Sequence, residues 1–109
     1  QTIDWFMVGG FSDNGFDLDF AAHHAVVREE TSLKNALIWL ARSVDEAAAI
    51  LDEVTPEEMM EPIANGPIMA GEPRAVVIAA IAEHTAHHRG SLAVYARVRG
   101  YAPPMPYAD

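Results

Sequence analysis

Residues 73–100 read PRAVVIAAIAEHTAHHRGSLAVYARVRG and form the longest helical pattern in the chain. Apolar side chains recur there on one face, through Val77, Ile81, Leu92 and Tyr95, as a period of 3.6 residues requires. Gly100 is placed to end this helix, because glycine adopts the left-handed cap conformation without strain. The stretch predicts one long amphipathic helix from about Pro73 to Arg99.

A second long helix is predicted from Thr31 or Ser32 to about Val54, since either residue can act as its N-cap. Its apolar stripe runs along one face through Leu33, Leu37, Leu40, Val44, Ala48 and Leu51, and Ile38, Trp39 and Ile50 widen it. No stretch alternates apolar and polar residues as a strand does. The two helices therefore predict an all-α fold.

The remaining segments are shorter. Thr2–Val8 reads as the end of a helix that stops at Gly9 and Gly10, and residues 11–20 read as a loop. Residues 21–30 are ambiguous between loop and helix. Thr55, Pro56 and Glu58 predict a short capped helix. The connection over 62–73 and the Pro-rich tail over 101–109 are predicted to be a surface loop and an extended segment.

Composition limits the classes of function. The 109 residues include 16 acidic and 7 basic side chains and no cysteine, for a net charge of −9. One helical domain over 1–109 is expected. Disulfides and cysteine-ligated metals are excluded, and binding of nucleic acid or an anionic membrane is disfavoured because basic residues are few. The apolar start has neither a basic flank nor a cleavage site, so a cytoplasmic location is expected.

His84 and His88 are the main candidates for a functional site. They occupy positions on the apolar stripe of the last helix where leucine or isoleucine is expected. Four residues apart, both imidazoles lie on one face and could hold one divalent cation. Two partly buried histidines satisfied by hydrogen bonds are the alternative. The zinc-protease motif needs glutamate directly after the first histidine, and Thr85 stands there.

A metal site also needs a third ligand. His23 and His24 are candidate ligands, and the alternative for them is a solvated pair at a loop or helix start. A residue upstream of Gln1 is another candidate, as are the carboxylates of Asp4, Asp13, Asp17 and Asp19.

The run His84–Leu92 and its continuation Tyr95–Pro104 resemble the last-helix motif of the DinB/YfiT-like superfamily, H-x-x-H-H-R-G-Q/S-L followed by an aromatic, Arg, Gly and Pro-Pro. More weakly, Asp4-Trp5-Phe6 is similar to the end of the family's second helix and 31–51 to its third. The resemblance implies a four-helix bundle with up-down-down-up topology. This chain would supply the end of helix 2, helix 3 and helix 4, the C-terminal two-thirds of the bundle.

The resemblance also implies a function. Family members bind zinc, nickel or manganese through three histidines, of which His84 and His88 match two; the first is expected upstream of Gln1, along with the missing first helix. Arg89 and Tyr95 would contact the ligands or the substrate. Many members are homodimers, and characterised ones act on small molecules as thiol-dependent transferases or isomerases, while others are described as hydrolases. Without cysteine, this chain would take its thiol from a low-molecular-weight cosubstrate.

Two further interpretations stay open. The chain could be a non-catalytic helical dimerisation or stress-response domain, with metal structural or absent. It could also be a small-ligand-binding bundle whose pocket is formed by Trp39, Met59, Met60 and Tyr95, although these side chains are typical of a core or an interface.

Overall fold

The computed structural model describes residues 1–64 and 66–104, and within them the regular structure is helical, which confirms the all-α class. The five helices in chain order are α1 Thr2–Phe11, α2 Phe20–Glu29, α3 Leu33–Glu53, α4 Pro56–Met59 and α5 Val76–Val98. Along this described part of the chain, none of the helices combines the length and hydropathy needed to cross a bilayer.

Helix α1 is the centre of the fold, because it packs against both α3 and α5. Met7 of α1 and Val77 of α5 form the buried core together with Ile63. The prediction that this helix stops at Gly9 and Gly10 is wrong: it continues to Phe11. A side chain at Gly10 would collide with Val77, and one at Gly9 with Phe16. The two glycines permit close packing rather than a cap.

Helix α3 begins as predicted, with the Ser32 hydroxyl accepting a hydrogen bond from the Asn35 amide at 3.3 Å. It is tied to α1 by the Trp39 indole, whose Nε1 donates to the Asp4 carboxylate at 3.0 Å. The face against α1 carries the buried Ser43, with Ala47 and Ile50 packed on the core.

The centre of the predicted apolar stripe of α3 lies beside that face. Its first four members are 50 to 76 % exposed: Leu33, Leu37, Leu40 and Val44. They lie about 80° around the helix from the face that packs on α1. Leu51, the last member of the stripe, and Ile50, which widens it, pack against the core. Among the described residues the stripe is thus covered at its C-terminal end and exposed along its first turns.

The connection between α4 and α5 contributes to the core. The Thr55 capping box of α4 is present, with the Glu58 carboxylate accepting from the Thr55 amide at 2.8 Å. Beyond it, Ile63 is buried, and its amide donates to the Glu72 carbonyl at 2.8 Å. What reads as a surface loop is thus partly internal, because its two ends pair with each other.

Helix α5 begins at Val76, three residues later than predicted, and ends next to Gly100, whose φ of +84° confirms the left-handed terminator. Tyr101–Pro104 follows without regular structure. The rest of the predicted extended tail, 105–109, lies outside the described residues.

Candidate histidine cleft

The imidazoles of His84 and His88 meet on one face of α5, as their spacing predicts. Their Nε2 atoms are 2.7 Å apart and their ring centroids 4.5 Å apart. At that distance one imidazole donates its Nε2 proton and the other accepts, so the two rings are held by each other. His84 also packs edge-on against Phe6 of α1, with centroids 6.1 Å apart.

Burial lowers the pKa of His84, and the neighbouring charges of His88 and His87 lower it further. The neutral imidazole is the form that binds a metal or accepts a proton. His87 lines a neighbouring cleft with Phe6, Ala80, Glu83 and His84, and its ring centroid lies 5.3 Å from that of His88.

Helix α2 resolves the ambiguous segment and places the other two histidines. Asp19 caps it by accepting from the Ala22 amide at 2.9 Å. Phe20, His23, His24 and Val27 have the spacing i, i+3, i+4, i+7 and share one face. The ambiguous segment is thus a helix, and these four residues lie on the face that borders the cleft.

The histidines of α2 and α5 line one open cleft of about 520 Å³. The start of α1 provides its floor. The lining residues are Gln1, Thr2, Trp5, Phe6, Phe20, His23, His24, Val27, His84 and His88. The fold therefore brings four histidines that are far apart in sequence around one volume.

Three of the four candidate carboxylates have other partners, and the fourth, Asp13, does not line the cleft. Asp4 accepts from Trp39, and Asp19 caps α2. Asp17 accepts from the Asp19 amide through Oδ1, while its Oδ2 lies 3.2 Å from Nε2 of His23. That contact is within ion-pair distance but lacks the geometry of a hydrogen bond. The Asp17 carboxylate is thus a direct neighbour of the His23 imidazole.

The His84–His88 pair fits two ligands of a divalent metal. Its donors are imidazole nitrogens, which zinc and nickel prefer. Zinc–nitrogen bonds of about 2.0–2.1 Å place two tetrahedral ligands about 3.3 Å apart, slightly more than the present separation. Within residues 1–64 and 66–104, no group of three His, Asp or Glu side chains is arranged to hold an ion. His23 and His24 share the cleft with the pair but do not complete such a group.

Other candidate residues lie away from the cleft. Arg89 lines a separate groove of about 620 Å³ with Gly90 and Pro103, on another face of α5. Tyr95 is 69 % exposed, beyond the cleft lining. Trp39 lines a small cleft with Val26 and Arg42 that contains none of the other residues predicted to form a pocket with it.

The aromatic wall of Trp5, Phe6 and Phe20 was not predicted from the sequence. The signal that could have found it is the spacing of Phe20 to His23 and of His24 to Val27, which marks one face of a helix and links histidines with apolar residues. Trp5 and Phe6 were recognisable only as apolar members of α1.

Comparison with known proteins gives one result. The sequence model of the DinB family matches residues 16–109. The match begins after α1 and includes α2, α3, α4 and α5. No curated protein and no solved structure matches the chain.

Proposed function

The chain belongs to the DinB family, and we propose that it is a divalent-metal-binding protein whose ion is held by His84 and His88. The observation that carries the proposal is the contact between their Nε2 atoms, 2.7 Å apart on one face of α5. The lowered pKa of His84 supports it, because the imidazole is then neutral at neutral pH without competition from a proton.

The proposed class is a metal-dependent enzyme acting on a small molecule, of the S-transferase, isomerase or hydrolase type. A bound zinc, nickel or manganese ion would act as a Lewis acid that lowers the pKa of a water or thiol. A thiol would come from a low-molecular-weight cosubstrate, since the chain has no cysteine. The open cleft of about 520 Å³ beside the pair is large enough for a small organic substrate.

The proposed role of each residue follows from its place. His84 and His88 bind the ion, and His23 or His24 supplies a further ligand if α2 moves toward α5. Arg89 and Tyr95, which do not line the cleft, would act only on a substrate that extends beyond it.

The first test is the metal content of the purified protein, measured by elemental analysis. We expect the double substitution His84→Ala with His88→Ala to remove most of the bound metal, because both imidazole donors are lost. His87→Ala is the matched control, since it removes a histidine of the same helix that faces another cleft. Unchanged metal content in the double variant would contradict the site. Loss only after His23→Ala with His24→Ala would move it to α2.

A second candidate function is favoured by the exposed apolar stripe of α3. A non-catalytic helical domain that forms homodimers, with metal structural or absent, would cover Leu33, Leu37 and Leu40. We propose a four-helix bundle as the arrangement in either case, because α3 and α5 both flank α1 and both keep apolar residues exposed. An enzymatic activity that persists in a monomeric variant would favour the metal-dependent enzyme over the non-catalytic dimerisation domain.

A further inference from the structure

A second concave volume, the α5 groove, lies on the face of α5 that is turned away from the histidine pair. Its volume is about 620 Å³. Gly90 and Ala93 line it, and they lie about 140–160° around the helix from His88. None of the residues that line the groove also lines the histidine cleft. The two volumes are therefore separate sites on one helix.

The segment that follows α5 forms the second wall of the groove. The chain turns back at Gly100, whose φ is +84°, and the Tyr101 amide donates to the Ala96 carbonyl at 2.9 Å. Beyond this turn, Pro103 and Pro104 line the groove together with the helix. The pyrrolidine rings fix the backbone φ angles of this wall, so a ligand would lose little binding energy in ordering it.

The floor of the groove is apolar and open. It contains the small residues Ala86, Gly90 and Ala93, which the helical period places in one row. Beyond the local helix backbone, no described atom lies within 4 Å of a methyl group placed at Gly90. The row is about 10 Å long, at 1.5 Å per residue. An alkyl chain of medium length can therefore lie along it.

The groove is basic, although the protein as a whole is strongly acidic. The chain has 16 acidic and 7 basic side chains. The guanidinium groups of Arg89 and Arg97 nevertheless line this volume, and among the described residues no carboxylate does. Arg97 forms no ion pair with any residue that the structure describes. A guanidinium beside an apolar floor, with no carboxylate partner of its own, favours an anionic group on the ligand.

We propose that the α5 groove binds an aliphatic carboxylate of medium chain length. The carboxylate pairs with Arg97, whose planar guanidinium matches it with two parallel hydrogen bonds. The alkyl chain lies over Ala93, Gly90 and Ala86, and Arg89 adds positive charge to the same rim. The inference does not rest on the proposed metal site, because it uses none of the histidines.

The first test compares three probes by isothermal titration calorimetry at pH 7 with EDTA present. Octanoate has the charge and the chain, octanamide has the chain alone, and acetate has the charge alone. We expect octanoate to bind about tenfold more tightly than octanamide, because hydrogen bonds to a charged group are stronger than neutral ones. Acetate should show no measurable binding. Equal affinity for octanoate and octanamide, or no binding of octanoate, would overturn the inference.

Arg97→Gln tests the position of the carboxylate. The substitution keeps a hydrogen-bond donor but removes the charge, so we expect the preference for octanoate over octanamide to disappear. Arg99→Gln is the matched control, since Arg99 is two residues away and does not line the groove; this variant should keep the tenfold preference. A preference that survives in Arg97→Gln would contradict the assignment.

Gly90→Leu tests the position of the alkyl chain. The leucine side chain would occupy the groove, and leucine favours a helix more than glycine does, so the variant should stay folded. We expect both octanoate and octanamide to bind about fourfold more weakly, as the lost burial of one methylene group would give. Ala79→Leu adds the same bulk at an exposed position of α5 outside the groove and should change neither affinity. Wild-type affinities in Gly90→Leu would overturn the inference.

The double variant His84→Ala with His88→Ala distinguishes the inference from the proposed function. We expect this variant to bind octanoate as the wild type does, whatever its metal content. Weaker binding of octanoate would place the ligand in the histidine cleft and overturn the inference. Unchanged metal content together with unchanged octanoate binding would contradict the proposed metal site alone.

Discussion

His84 is the residue on which the site depends most, because it belongs to both the packed part of α5 and the cleft. Its ring contacts Phe6 on one side and His88 on the other. A leucine there would complete an ordinary apolar seam. The imidazole instead places a polar group at the edge of the core, and burial lowers its pKa.

The lowered pKa of His84 should make the free energy of unfolding depend on pH. The pKa of His84 is below 6.5 in the folded state, so the unfolded chain binds a proton more readily. Its contribution is therefore fully favourable above pH 6.5 and is lost as the pH falls toward the folded pKa. We expect the free energy of unfolding, measured with urea in EDTA, to fall from pH 7 to pH 5.

The matched substitution is His84→Gln, which removes the titrating group and should flatten this pH profile. Thr85→Ser, next in sequence and not titratable, should keep the wild-type slope. A slope that is the same in His84→Gln as in the wild type would show that other groups cause it.

At the scale of the helices, Gly10 and Gly90 both lie within a helix but have different surroundings. Gly10 lies inside α1 where a methyl group would collide with Val77, whereas no atom of the described residues lies within 4 Å of a methyl group at Gly90. Among the described residues, a neighbouring helix therefore approaches closely at Gly10 and not at Gly90.

The two alanine substitutions should therefore differ in sign. Gly10→Ala should destabilise the protein by about 1–3 kcal/mol through overpacking. Gly90→Ala should stabilise it by about 0.5–1 kcal/mol, because alanine favours an exposed helix interior. Chemical denaturation at one pH checks both. A destabilising Gly90→Ala would indicate that a partner packs against that face in solution.

The sequence predicts the helix ends that short local motifs determine, but not the features that depend on contacts between helices. The caps of α3 and α4 and the glycine after α5 are local, and each was found within a few residues. The end of α1 was missed because a glycine pair serves equally as a terminator or as a contact surface, and only the position of Val77 distinguishes the two. On α3, periodicity found the apolar positions, including Trp39 and Ile50 on the side of α1, but it does not tell which of these positions another helix covers.

The site follows the same division. The shared face of His84 and His88 follows from helical geometry alone and was predicted. The position of α2 opposite α5, on the other side of the cleft, depends on the path of the loop between α1 and α2, which no local pattern encodes.

At the scale of the whole molecule, the surface is large for the mass. The accessible area is 8088 Å², against about 6,000 Å² for a compact protein of 11.9 kDa. The radius of gyration is 15.9 Å, against about 13 Å. The excess includes the exposed part of the apolar stripe of α3 and the outer part of α5.

We therefore expect association through α3. Leu37→Ser with Leu40→Ser should convert a homodimer to a monomer in analytical ultracentrifugation, since a stable interface must bury about 800 Å² per partner and these side chains lie at the middle of the stripe. Ala49→Ser, on another face of the same helix, is the control. A monomeric wild type at high concentration, or a double variant that stays dimeric, would contradict this interface.

Helix α5 is packed along its first turns and exposed along its last turns. Its first turns are clamped between α1 and the paired ends of the α4–α5 connection, through Val77 and Ile63. From Leu92 onward its apolar side chains are exposed, Leu92 by 68 % and Val98 by 79 %. His84 and His88 lie between these two parts, and His84 still contacts Phe6 of α1. The packed half of the helix therefore sets the position of the histidine pair relative to α1.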